Sequence, residues 1–94
     1  EAAGAEVWYQ RGSVEAHQLA CDIGQAFVIV FNDEPYRGEK AGNFMVLRMS
    51  KCPAVLVECG FIDNSETNRE FHQPDTLKTI GFVIAQGILK YTEA

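Results

Sequence analysis

An α/β architecture is predicted by three features of this 94-residue sequence. The unbroken apolar run Ala54-Val55-Leu56-Val57 has the composition of a strand covered on both faces, as in a central parallel strand. Apolar residues recur at helical spacing both before and after it. Short, turn-rich connections separate the segments, so three strands alternate with helices. The expected arrangement has three layers, with a central, mostly parallel or mixed sheet flanked by helices.

Each element follows from its residues. Glu6-Val7-Trp8-Tyr9 forms a first strand entered from Gly4, and Arg11-Gly12-Ser13 turns the chain, with Ser13 as helix N-cap. Val14, Leu19, Ile23, Ala26, Phe27 and Val30 then make a helical stripe, with Glu15, Gln18, Asp22 and Gln25 on other faces. Its last turn, Phe27 to Phe31, is apolar on every side, which calls for deep cover or a partly strand-like end. Residues 32–42 hold Pro35, Gly38, Gly42 and much local charge, the pattern of a surface loop. Phe44 to Met49 reads as a second strand, and Lys51-Cys52-Pro53 leads into the third, Ala54 to Glu58. Asp63-Asn64-Ser65, with Glu66 and Glu70, reads as a capped helix start. Pro74 opens a final helix with the stripe Leu77, Ile80, Ile84, Ile88 and Tyr91, in which Gly81 and Gly87 allow close packing on the sheet.

Composition narrows the function. Hydrophobic residues make up 47% of the chain, enough for one globular core. A net charge of -5 without any Lys/Arg cluster argues against nucleic acid as a partner. The longest apolar stretch, Ala26 to Phe31, falls far short of the ~20 residues that span a bilayer. Three cysteines (Cys21, Cys52, Cys59) form no Cys-x-x-Cys pair and are expected to be free, buried thiols.

Glu58 is the leading candidate for chemistry. It ends the apolar run just before Gly60 can turn the backbone out of the sheet, and ligands of open α/β sheets bind beyond the carboxyl ends of strands. Two readings stand: a catalytic carboxylate, or a structural residue reaching solvent or capping the next helix. Arg48, one predicted strand away, either grips a substrate carboxylate or neutralises Glu58. Asn43 and Asn64 are candidate hydrogen-bond donors at the rim, with turn and capping roles as the alternative. Arg37 and Lys40 lie on the predicted loop, solvated or facing an anionic polymer. Cys59 as a nucleophile lacks an evident histidine base. His17 and Cys21 share a helix face at i, i+4, but two ligands do not make a metal site. His72 reads as a solvated helix end.

The segment Pro53-Ala54-Val55-Leu56-Val57-Glu58-Cys59-Gly60-Phe61-Ile62-Asp63-Asn64, preceded by Asn43-Phe44-Met45-Val46-Leu47-Arg48, closely resembles the C-terminal half of zinc-dependent N-acetylmuramoyl-L-alanine amidases of the amidase-3 type. Gly4-Ala5-Glu6-Val7-Trp8-Tyr9 resembles the family strand that follows its last metal-binding histidine. Arg37-Gly38-Glu39-Lys40 resembles its Arg-Gly-x-Lys loop, and Ile84-Ala85-Gln86-Gly87-Ile88 its closing helix. The resemblance implies that residues 1–94 are the C-terminal portion of a larger, six-stranded amidase domain. A strand buried on both faces and both edges, with only three strands available, separately points to a larger sheet.

For function, the resemblance implies cleavage of the amide between the lactyl group of N-acetylmuramic acid and L-alanine in peptidoglycan, outside the cytoplasm or at the cell wall, or by a phage-encoded enzyme released at lysis. It implies one zinc held by two histidines and a glutamate, and a second glutamate, at the position of Glu58, as general base and acid. The family's metal ligands precede the Gly-x-Glu strand, and no residue here matches them. No zinc is therefore expected on this chain alone, and a missing N-terminal half is the expected partner. A non-catalytic wall-binding or regulatory module, and a small α/β domain with only architectural likeness, are the alternatives.

Overall fold

The computed structural model describes residues 4–60 and 74–93. Its elements are β1 (Ala5–Gln10), α1 (Val14–Val30), β2 (Tyr36–Gly42), α2 (Met45–Arg48), β3 (Val55–Glu58) and α3 (Pro74–Glu93). The sheet is mixed, in the order β2-β1-β3, with β2 parallel and β3 antiparallel to β1. The expected α/β class with a mixed sheet is what the chain adopts.

Alternation along the strands divides the sheet into two faces. Ala5 and Val7 are buried, and Tyr9, Val55 and Val57 pack with them against Leu19, Ala20, Ile23 and Phe27 of α1. Ser13 caps α1, its Oγ accepting from the Ala16 backbone N–H at 3.1 Å. Helix α3 packs on α1 through the buried Val83, with Ile80, Ile84 and Tyr91 beside it. At Gly87 a Cβ would fall 2.5 Å from the Ile23 Cα, so this glycine brings the two helices together. Lys90 also donates to Gln25 across the pair.

Several expectations are corrected. Segment 32–42 is not a loop throughout, because Tyr36–Gly42 pairs with β1. Segment 44–49 is a single helical turn rather than a strand. Arg48 N and Met49 N donate to the carbonyls of Phe44 and Met45, and only Leu47 of its apolar residues is buried in α2. Strand β3 is outermost among the described strands and antiparallel to β1, not central and parallel. Its apolar run arises because Val55 and Val57 meet α1 while Leu56 lies opposite Trp8 on the other face.

The helical stripes also shift. Val14 and Val30 of α1 are exposed while Ala16, Ala20, Asp22 and Gly24 are buried. The last turn of α1 is helical, not strand, and is covered on one side only, with Phe27 buried and Ile29 66% exposed. In α3 the inward positions are Ile80, Val83, Ile84, Gly87 and Tyr91, and Leu77 and Ile88 face outward. Gly87 packs on α1 rather than on the sheet, and among the described residues nothing approaches Gly81. Of the cysteines, all free, Cys52 is exposed. The expected helix start at 63–70 lies outside the described residues, as does His72.

Candidate functional site

A glycine in β2 decides how the charged residues are distributed. Ala5 pairs with Tyr36 and Val7 with Glu39, so three steps along β2 match two along β1. This is a β-bulge, and Gly38 supplies the positive φ of 95° within it. In a regular strand, residues three apart point to opposite faces. The extra residue instead puts Tyr36 and Glu39 together on the α1 face and Arg37 and Lys40 together on the other.

On the α1 face, Tyr36 Oη donates to Glu39 Oε2 at 2.5 Å, and Cys21 Sγ donates to Glu39 Oε1 at 3.6 Å. Burial, reinforced by the Glu39 carboxylate, pushes the Tyr36 phenol well above its ordinary range. The Cys21 thiol is raised for the same reasons, burial first.

On the opposite face Glu6 gathers two hydrogen-bond donors and a second cation. Lys40 Nζ donates to Oε1 at 2.8 Å, Trp8 Nε1 donates to Oε2 at 2.6 Å, and Arg37 Nε lies 3.6 Å from Oε1. The Glu6 side chain is only 14% exposed. The Lys40 hydrogen bond outweighs desolvation and, with Trp8 and Arg37, holds its pKa below the usual carboxylate range.

Glu58 stands directly across the β1–β3 pair from Glu6. Residues opposed in this way share a face, with Cβ atoms about 5 Å apart. Solvent around the exposed Glu58 screens their repulsion, and Lys40 and Arg37 oppose it on the Glu6 side. Just beyond, Gly4 N donates to Gly60 O at 3.1 Å, and a Cβ on Gly60 would sit 2.0 Å from the Gly4 carbonyl oxygen. This close passage of two backbones fixes the end of β3 against the start of β1. Glu58 is exposed there, and no described residue donates to it.

Arg48 and Asn43 gather elsewhere. Asn43 Oδ1 accepts from Gln10 Nε2 at 3.1 Å and from Arg48 Nη1 at 3.2 Å. Gln10 is four residues from Glu6, about 13 Å along the strand. The expectation that Arg48 reaches the Glu58 crevice, or neutralises Glu58, therefore fails, because α2 follows the far end of β2. Arg48 instead lines a groove of 230 Å³ with Ser13, Lys51 and Cys52. Asn64 lies outside the described residues. His17 stacks on Tyr9, with ring centroids 4.3 Å apart, whereas Cys21 points to Glu39, so the two side chains take different partners. Cys59 is half-buried, and burial pushes its thiol up. No group of three or more His, Cys, Asp or Glu able to hold a metal occurs among the described residues.

Sequence reasoning missed Glu6 as a member of the site. The alternation of Glu6, Trp8 and Gln10 against Ala5, Val7 and Tyr9 was the available signal, but the cations that hold Glu6 come from a segment that reads as a loop.

The amidase-3 family model, described as N-acetylmuramoyl-L-alanine amidase, matches residues 1–90. The chain belongs to this family. Among curated amidase relatives it is 40% identical over 57 residues to an uncharacterized cell wall amidase of Bacillus anthracis, covering 61% of this chain and 11% of that protein. It is 35% identical over 63 residues to the N-acetylmuramoyl-L-alanine amidase CwlM of Bacillus licheniformis, covering 67% of this chain and 24% of that one. Two solved amidases share the fold. The Clostridium difficile 630 enzyme superposes with a TM-score of 0.90 at 29% identity, over 100% of this chain and 50% of its own. AmiC2 of Nostoc punctiforme does so with a TM-score of 0.87 at 30% identity, over 97% and 49%. The chain thus spans about half the length of these amidase structures and less of the curated relatives.

Proposed function

We infer that this chain contributes the proton-transfer carboxylate, Glu58, to an amide hydrolase that separates N-acetylmuramic acid from L-alanine in peptidoglycan. The observation that carries the reading is the state of Glu58. It is exposed at the end of a strand whose neighbours are packed, and no described donor claims it, whereas the carboxylate opposite is fully engaged. A free carboxylate on a fixed backbone takes a proton from an attacking water and returns it to the departing amine. Glu6, held anionic by Lys40, keeps that neighbourhood ordered. Family membership and the cell-wall amidases among the relatives support the substrate class and a location at the wall or outside the cell.

In this reading the chain supplies the C-terminal half of the domain. The zinc implied by the family resemblance finds no ligand set among the described residues.

Digesting peptidoglycan with the intact protein and identifying the products by mass spectrometry tests the function. Peptides with a new L-alanine amino terminus, released by the parent protein and not by Glu58→Gln, are expected. Wall binding without cleavage by either protein would favour the non-catalytic wall-binding reading.

A further inference from the structure

We propose that Arg37 is a specificity-determining residue that takes a substrate carboxylate beside Glu58; this rests on the amidase reading above. The two cations and two carboxylates on this face are not paired one to one, because Arg37 and Lys40 both lie beside Glu6. Lys40 alone satisfies the single charge of Glu6 at 2.8 Å, and Trp8 occupies its other oxygen. Arg37 approaches only through Nε at 3.6 Å, beyond hydrogen-bond distance. Its terminal nitrogens have no acceptor among the described residues, and its side chain is 39% exposed.

The bulge at Gly38 turns this guanidinium onto the face that carries Glu58. Arg37 and Glu58 belong to the two outer strands with Glu6 between them, so their backbones are two strand spacings, about 10 Å, apart. Among the described residues no ion pair joins the two, so a ligand lying across β1 can meet both. A planar fork of N–H donors matches a carboxylate in bidentate fashion. An extended peptide advances about 3.3 Å per residue. The site therefore suits a carboxylate within about three residues of the bond that Glu58 serves.

Calorimetry on the intact protein carrying Glu58→Gln provides the test, because binding is then read without turnover. The probes are N-acetylmuramoyl-L-alanyl-D-glutamate and its D-isoglutamine counterpart, which differ by one carboxylate. The acid is expected to bind about tenfold more tightly. Arg37→Gln is expected to bring the acid down to the affinity of the carboxamide, and Arg37→Lys to retain part of the preference. Equal binding of the two probes to the Arg37 protein overturns the proposal, as does a preference that survives Arg37→Gln or a loss of both probes together. Failure of the amidase reading shows separately, as hydrolysis that persists in Glu58→Gln.

Discussion

Glu58 faces Glu6 across the antiparallel β1–β3 pair, and among the described residues only Glu6 of these two carboxylates is held by donors. The engaged one is tied to β2 by Lys40, so the strand that looks least regular in sequence organises the site.

Lys40→Met leaves Glu6 charged, largely covered and facing a second carboxylate. Loss of the charge-assisted bond is expected to lower stability by roughly 1.5–3 kcal/mol. Chemical denaturation reads this directly, and Lys40→Arg should recover part of it.

The glycines of the site differ in what a side chain would meet. No described residue crowds Gly38, so Gly38→Ala is expected to carry only the backbone strain of a positive φ, about 1–2 kcal/mol. Gly60→Ala adds a collision with the Gly4 carbonyl and is expected to be the more damaging of the two. Comparing their denaturation midpoints checks the order.

Stability should respond to pH at both extremes. The folded-state pKa of Glu6 lies below its unfolded value, so its contribution is present above about pH 4.5 and is lost as pH falls through the depressed value. Tyr36 has the opposite sign. Its folded-state pKa is raised, so its contribution holds below about pH 10 and is lost as pH rises above the unfolded value. Melting temperatures across pH should show an acid limb weakened by Glu6→Gln and an alkaline limb weakened by Tyr36→Phe.

Thiol reactivity separates the three cysteines. Cys52 is exposed, while Cys21 and Cys59 are partly covered and have raised thiol pKa values. A thiol-specific reagent at neutral pH should modify Cys52 first, with the other two following more slowly.

Much of this was legible in the sequence. The Ser13 cap, the span of α1 and the position of β3 follow from local patterns that tertiary packing reinforces. Glu58 was recognisable because a carboxylate ending an apolar strand is unusual. Segments 36–42 and 44–49 exchanged roles for two physical reasons. In β2, alternating charges and a bulge glycine disguise a strand whose polar side chains are paired across the sheet. In α2, Met45, Val46 and Met49 remain exposed, so their hydrophobicity did not report burial. The error in α2 carried Arg48 to the wrong end of β1. Cross-strand partnership, which brings Glu6 into the site, depends on sheet order and register, and neither is written in a single segment.

The proposed proton transfer by Glu58 is read out in kcat/KM for hydrolysis of a soluble muramoyl peptide by the intact protein, with and without Glu58→Gln. Loss of the carboxylate is expected to lower kcat/KM by about 10²–10⁴-fold, mostly through kcat. A Glu58→Gln protein whose kcat/KM matches that of the parent would contradict the assignment.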